Sequence, residues 1–231
     1  MSQALLWCVL PAAGRGARMG ADRPKQYLPL GGKPLITHTL ERLAAHERVA
    51  GLMVVLGAQD ELWPGVATLH GKPVRTAIGG AERSDSVLAG LEALPPEVGD
   101  ADFVLVHDAA RPCVRAADIT RLIGRASQAD GGLLGAPLRD TLKRAGEGDR
   151  SEATESREQR WRAFTPQMFR RAELVAALRA VSRDGRAVSD EAMAMELAGF
   201  RPLLVEGAED NIKVTTAADL ALAEFLLTRT A

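Results

Sequence analysis

Short apolar runs alternate with longer, helically periodic segments along nearly the whole chain, and that alternation leaves few architectures open. Leu5–Leu10, Leu52–Leu56, Val74–Ile78 and Phe103–His107 read as buried strands, and Gly132–Ala136 and Arg201–Val205 extend the series. Between them Pro34–Ala45, Asp85–Ala93, Asp118–Ala129 and Arg171–Ala180 carry apolar residues at helical spacing, and Asp190–Ala198 and Ala217–Leu227 follow. Thr216 and Asp219 stand three apart at the head of the last helix, as in a capping box. Strands that are apolar throughout need cover on both faces, and intervening helices supply it. The expected fold class is therefore α/β, a Rossmann-like and mostly parallel sheet with helices on both faces. Ligands of such sheets bind in loops at the carboxyl ends of the strands.

The chain of 231 residues suits a single domain, 1–231. Its 29 basic and 30 acidic side chains nearly cancel, so no global field draws it to nucleic acid or an anionic membrane. The apolar stretch Ala4–Ala13 lacks a basic leader and runs into a glycine-rich turn, which makes it a strand rather than a signal peptide. No apolar run approaches the roughly 18 residues of a membrane span. Cys8 and Cys113 are too few for a disulfide framework, and with His38, His46, His70 and His107 they show no metal-binding spacing. A reduced cytoplasm is the expected location.

One segment breaks the rhythm. From Arg139 to Arg162, 13 of 24 residues are charged, and Leu142 and Trp161 are its only large apolar side chains. Such a stretch cannot bury a core of its own. It reads either as a surface loop or as an extended hairpin, Asp140–Arg144 against Ala153–Arg157, turning at Gly146-Glu147-Gly148. A hairpin over 138–163 would form an arm that needs another surface, most simply a second subunit.

The chemistry gathers at strand ends. The first strand leads into Pro11-Ala12-Ala13-Gly14-Arg15-Gly16-Ala17-Arg18-Met19-Gly20. Small residues there let backbone N–H groups approach an anion. Met19 stands where a dinucleotide fingerprint needs glycine, and the run is not a Walker A loop either. Arg15, Arg18, Arg23 and Lys25 then face a single acid, Asp22, which suits a triphosphate. Pro24 restricts the backbone beside Lys25.

With Pro24-Lys25-Gln26-Tyr27, this loop resembles the nucleotide-binding signature of the 2-C-methyl-D-erythritol 4-phosphate cytidylyltransferase family, whose fold is that of nucleotidyltransferases. The resemblance continues through Gly79-Gly80-Ala81-Glu82-Arg83-Ser84-Asp85-Ser86-Val87 and Val106-His107-Asp108-Ala109-Ala110-Arg111-Pro112. Arg139-Asp140-Thr141, Thr165-Pro166-Gln167, Ser189-Asp190-Glu191 and Asp210-Asn211-Ile212-Lys213-Val214-Thr215 complete it, in family order over nearly the whole chain.

The resemblance implies attack by the phosphate of methylerythritol phosphate on the α-phosphorus of CTP, in non-mevalonate isoprenoid synthesis. A phosphate monoester is already largely dianionic at neutral pH, its second pKa being about 6, so the nucleophile needs no general base. Two anions must meet, and the transition state needs positive charge. The family's cationic positions fall on Arg18, Lys25 and Lys213, with Arg157 in the arm. Its nucleotide positions fall on Pro11, Ala12, Ala13, Gly14, Gly16, Gly80, Arg83, Ser86, Asp108 and Ala109. Its substrate positions fall on Asp108, Arg111, Thr141, Arg157, Thr165, Ser189 and Lys213. The resemblance also implies Mg2+ or another divalent cation near Asp108, and a homodimer with composite sites. Read from the residues alone, Asp108 is equally a turn or cap residue, Asp210 a turn residue, and Ser86 part of a helix's first turn. Ala81 stands where relatives often have aspartate. Ser189 replaces a usual threonine, and it equally suits a helix N-cap. A ribitol 5-phosphate transferase, a silent nucleotide-binding module and a nicotinamide oxidoreductase are the alternatives. The last fails at Met19, and the second is disfavoured by the retained Arg18, Lys25 and Lys213.

Overall fold

The fold grows outward from its first strand. The computed structural model describes residues 6–14 and 23–229. Within them β1 (Leu6–Pro11) leads through β2 (Pro29–Leu30) and β3 (Lys33–Pro34) to α1 (Leu35–Ala45) and β4 (Val49–Leu56). Next come β5 (Thr68–Leu69), β6 (Lys72–Ile78), α2 (Arg83–Glu92), β7 (Phe103–Val106), α3 (Ala116–Ala126) and β8 (Gly132–Pro137). A hairpin of β9 (Leu142–Ala145) and β10 (Ser151–Glu155) precedes β11 (Trp161–Arg170), α4 (Arg171–Arg183), α5 (Glu191–Leu197), β12 (Leu203–Glu206) and α6 (Ala217–Arg229).

The main sheet has the order β12-β8-β11-β7-β1-β4-β6-β5. β1 runs parallel to β4 and β7, β4 to β6, and β12 to β8. Alternation along β1 divides the core into two layers. Leu6, Cys8 and Leu10 join Ile36, Leu40 and Leu43 of α1 and Ile119 and Leu122 of α3 on one face. Trp7 and Val9 join Val87 and Leu91 of α2, Leu174 and Leu178 of α4, and Met195 of α5 on the other. Each fully buried leucine contributes roughly 1.5–3 kcal/mol, and truncating one to alanine costs roughly 2–5 kcal/mol. α6 packs separately, its Ala223 against Leu30, Leu35, Ala110, Cys113 and Val214. This contact holds the segment around Lys213 beside β7.

The expected elements are present with small boundary shifts. α2 starts at Arg83 rather than Asp85, because Glu82 and Asp85 cap it reciprocally. The capping box of α6 is also formed: Thr216 N–H donates to Asp219 Oδ2 at 2.8 Å, and Asp219 N–H donates to Thr216 Oγ1 at 3.2 Å. The hairpin pairs Ala153 with Arg144 and Thr154 with Lys143. Gly148 takes φ +65° in its turn, a left-handed conformation that favours glycine.

β11 was not expected. It lies antiparallel between β7 and β8, in the middle of the sheet. Thr165-Pro166-Gln167 hides it in the sequence, since proline cannot donate to a ladder and normally argues against a central strand. Here it is accommodated by a bulge. Ala163 pairs with Gly135 and Gln167 with Leu133, so β11 carries more residues than β8 across that interval.

Candidate active site

A cleft of about 350 Å³ opens at the carboxyl ends of β1, β6 and β7. Pro11, Ala12, Ala13 and Gly14 form one wall, and Lys25 and Gln26 enter from a 3-10 turn over Lys25–Tyr27. Gly80, Arg83 and Ser86 face them from the start of α2, while Asp108, Ala109 and Lys213 close the floor. Gly16 and Arg18 lie outside the described residues. Gln26, to which sequence reasoning gave no role, is buried and ties the loop together. Its Nε2 donates to Ala12 O at 2.6 Å and to Gly14 O at 3.2 Å. The side chain next to Lys25 therefore grips the start of the small-residue turn at Ala12 and Gly14. Its only sequence signal was its place between Lys25 and Tyr27.

The glycines after β6 are required by close approach. A Cβ at Gly79 would meet Ser86 Oγ at 2.6 Å and Ala13 Cβ at 2.9 Å, and one at Gly80 would meet Asp85 Cβ at 2.5 Å. Ser86 is buried in the first turn of α2, with its hydroxyl directed to Glu82 O at 3.2 Å.

The floor is a cluster of charges around Asp108. Arg83 Nε donates to its Oδ1 at 3.1 Å, while Oδ2 meets Lys213 Nζ at 2.9 Å and Arg111 Nε at 3.4 Å. Burial pushes the Asp108 carboxyl up, but Arg83, Lys213 and Arg111 outweigh it and hold the group well below the usual carboxylate range. Arg111 is itself buried. Its Nη1 donates to Asn211 O at 2.6 Å, so it braces Asp108 from behind rather than lining the cleft.

Behind Asp108 lies a second polar chain. Asp108 N–H donates to Thr165 Oγ1 at 3.0 Å, and that oxygen lies 3.0 Å from His107 Nδ1. His107 Nε2 is 3.1 Å from Arg111 O. A carbonyl only accepts, so Nε2 carries the proton and Nδ1 accepts from the threonine hydroxyl. Burial pushes the His107 pKa down to about 4, and the ring is neutral at pH 7 and shut off from solvent. It is no general base for a ligand in the cleft. Thr165 is buried in the bulge, and its hydroxyl is committed to these two partners.

Other predicted positions stand apart from this cleft. Thr141 and Arg157 are exposed on the arm, where an Arg157 Nη1 hydrogen bonds to Arg139 O. Ser189 is not a helix cap. Asp190 takes that role, accepting from Met193 N at 2.9 Å, and Ser189 Oγ faces Met193 Sδ at 3.7 Å. Asp210 pairs with Arg115 away from the cleft. Cys113 is buried and its thiol is pushed up to about 11 by burial, which leaves it a poor nucleophile.

Among the described residues no three His, Cys, Asp or Glu side chains cluster as a metal site. Asp108 offers one anionic carboxylate at the cleft floor. That fits a hard divalent cation only if phosphate oxygens and water supply most of its ligands, an arrangement typical of Mg2+. Among the described residues no helix is long and apolar enough to cross a membrane.

Comparison with known proteins agrees with this geometry. Residues 6–229 match the family model of 2-C-methyl-D-erythritol 4-phosphate cytidylyltransferase. A protein of that description from Stenotrophomonas maltophilia (strain R551-3) is 59% identical over 230 residues, covering 99% of each chain. A solved structure of 4-diphosphocytidyl-2C-methyl-D-erythritol synthase superposes with a TM-score of 0.84 at 35% identity, covering 97% of this chain and 99% of that one. The Francisella tularensis 2-C-methyl-D-erythritol 4-phosphate cytidylyltransferase superposes with a TM-score of 0.83 at 30% identity, covering 96% of this chain and all of that one (100%). With its cationic cleft, its small-residue loop and a family match from β1 to the end of α6, the chain belongs to the 2-C-methyl-D-erythritol 4-phosphate cytidylyltransferase family.

Proposed function

We propose that this enzyme joins CTP to 2-C-methyl-D-erythritol 4-phosphate, forming CDP-methylerythritol and pyrophosphate for non-mevalonate isoprenoid biosynthesis. One observation carries the reading: Lys25, Arg83 and Lys213 line one cleft, with Arg83 and Lys213 paired to Asp108 at its floor. A phosphate oxygen of the polyol substrate attacks the α-phosphorus of CTP, and the bond from that phosphorus to the bridging oxygen of pyrophosphate breaks. No proton need be removed from the nucleophile, which suits a cleft whose nearest histidine is buried and neutral. Lys25 and Lys213 stabilise charge that builds on the α-phosphate and the departing pyrophosphate, and the family resemblance gives Arg18 the same role. The small residues Ala12, Ala13 and Gly80 admit a pyrimidine closely and exclude a purine. Asp108 orients substrate hydroxyls, and it would be the carboxylate that helps hold Mg2+ or a similar ion, which would neutralise phosphate charge.

The arm completes the assignment. Thr141 and Arg157 do not line their own cleft, and we assign the arm to a homodimer in which each arm supplies these residues to the neighbouring site. The core, 1–231, then works as one domain with 138–163 as its dimerisation arm. Buried, unpaired Cys8 and Cys113 suit the reducing cytoplasm. Pyrophosphate release tests the function, with CTP or UTP and with methylerythritol phosphate or ribitol 5-phosphate. CTP with methylerythritol phosphate is expected to dominate, because a pocket that pairs the cytosine amine leaves polar groups unpaired with uracil. Equal turnover of UTP would remove the cytidylyl assignment, and preference for ribitol 5-phosphate would reassign the acceptor.

A further inference from the structure

Two motifs are only partly used once the cleft is assembled, Thr165-Pro166-Gln167, whose threonine accepts from Asp108 N–H, and Ser189-Asp190-Glu191, whose aspartate caps α5. In the fold they meet. Gln167 of β11 is buried, and its Nε2 donates to Asp190 Oδ2 at 2.9 Å while its Oε1 accepts from Ala192 N–H at 2.8 Å. A central strand thus fixes the first turn of α5, and Asp190 caps that turn. The residue between these anchors, Glu191, is 1% exposed and does not line the cleft. Its carboxylate takes the guanidinium of Arg83 as a fork, Nη1 to Oε1 at 2.6 Å and Nη2 to Oε2 at 3.1 Å. The other edge of Arg83 lies on Asp108 Oδ1 at 3.1 Å.

We propose that Glu191 is a positioning residue for the transfer reaction, holding Arg83 edge-on to Asp108 and so fixing the charge cluster that faces both substrates. A flexible arginine at a cleft wall would otherwise swing toward the triphosphate or pull Asp108 out of line. A bidentate fork stops that rotation, because two parallel bonds set the plane of the guanidinium as well as its position. Glu191 also halves the surplus of positive charge left by Arg83, Arg111 and Lys213 around one carboxylate. That leaves Asp108 anionic and aligned without exposing Glu191 to phosphate. Aspartate would be one methylene too short to make the fork, and glutamine would keep its shape without its charge.

This assignment rests on the cytidylyltransferase reading, and a double-mutant cycle on the full-length enzyme tests it. Glu191→Gln is expected to lower kcat/KM for CTP about ten- to a hundredfold, the scale of a misplacement near 1 Å. In an Arg83→Ala background the same substitution is expected to change nothing further, since Glu191 acts only through that guanidinium. An equal loss in both backgrounds, or none in the wild-type background, would overturn the proposal. Should Glu191→Gln fail to fold, Glu191→Asp keeps the buried charge and shortens its reach. Loss of kcat/KM in that folded variant supports the positioning role, and wild-type activity overturns it. Wild-type enzyme run alongside separates the two readings. No pyrophosphate from wild type with CTP and methylerythritol phosphate overturns the proposed function, whereas full wild-type turnover with an undiminished Glu191→Gln overturns only the role of Glu191.

Discussion

Charge is dense both on the floor of the cleft and on the arm, and the two regions hold it in opposite ways. At the cleft, Asp108, Arg111 and Glu191 are buried, and all three belong to one connected cluster with Arg83 and Lys213. On the arm, Arg144 meets Glu152 at 3.3 Å with both side chains 57% exposed. Buried ions are costly to strand, because removing one leaves its partner desolvated and unpaired. Exposed pairs contribute about 0–1 kcal/mol and are screened by salt. The comparison teaches that the cleft floor is fixed by its own chain, whereas the arm carries solvated charge that constrains little until another surface meets it.

The strongest way to break this comparison is to show that the cleft tolerates loss of a cation. Lys25→Ala and Lys213→Ala are each expected to lower kcat about 10²–10³-fold, as loss of a preorganised donor does, and Arg18→Ala is expected to do the same. Steady-state kinetics decides it. Near-normal kcat with a raised KM for CTP would move that residue from transition-state stabilisation to ground-state binding.

Acid should also weaken the buried network behind Asp108. His107 has its pKa held at about 4 in the fold, below the roughly 6.5 of an unfolded histidine. Between those values the unfolded chain binds the extra proton, so stability is full above about pH 6.5 and declines as pH falls toward 4. The loss is on the order of 3 kcal/mol for this group alone. Asp108, also depressed, adds its own loss as pH falls through the ordinary carboxylate value of about 3.9 and below it. Urea denaturation at pH 7 and pH 5 measures the slope, and equal stability at both would contradict the buried neutral ring.

Mixing two inactive proteins sharpens the other half of the comparison. Lys25→Ala damages the cleft and Arg157→Ala the arm. If arms cross between subunits, statistical exchange yields about a quarter of wild-type sites, since half the dimers are mixed and half their sites are intact. If each arm serves its own chain, every site keeps one lesion and mixing restores nothing. The smallest effect expected is at the arm surface. Arg144→Ala should shift stability by no more than about 1 kcal/mol, and a larger change in thermal unfolding would mean the arm is packed more firmly than its exposure implies.

Much of this arrangement was legible in the sequence, and the exceptions have physical causes. Apolar periodicity located β1, β4, β6, β7 and the helices, because burial on both faces leaves a plain signature. The hairpin was legible from its charge and its glycine-flanked turn. β11 was not, since Pro166 and the polar residues beside it mask a strand that tolerates them through a bulge. In the site, loop glycines and cations stood out by type and spacing. Gln26, Gln167 and Glu191 did not, because each acts by contact with residues far away in sequence, such as Arg83 with Glu191. Local spacing also suggested Ser189 as a cap, where the neighbouring Asp190 takes that role by accepting from Met193 N–H three residues on.

The way the arm leaves the sheet has a consequence for how such a protein can diversify. Pro137 and Trp161 are already ladder partners, and Leu138 N–H donates to Arg160 O at 2.8 Å, so the two strands touch at the arm's root. Paired Cα atoms in an antiparallel ladder are only about 4.5–5.5 Å apart. The intervening chain is thus an insert whose two ends meet, and a short turn could replace it without altering strand order or register. Mutation can lengthen, shorten or exchange that insert while β7, β1 and the residues at their tips stay in place. The insert and the sheet that carries it are thereby free to drift at different rates within a single gene.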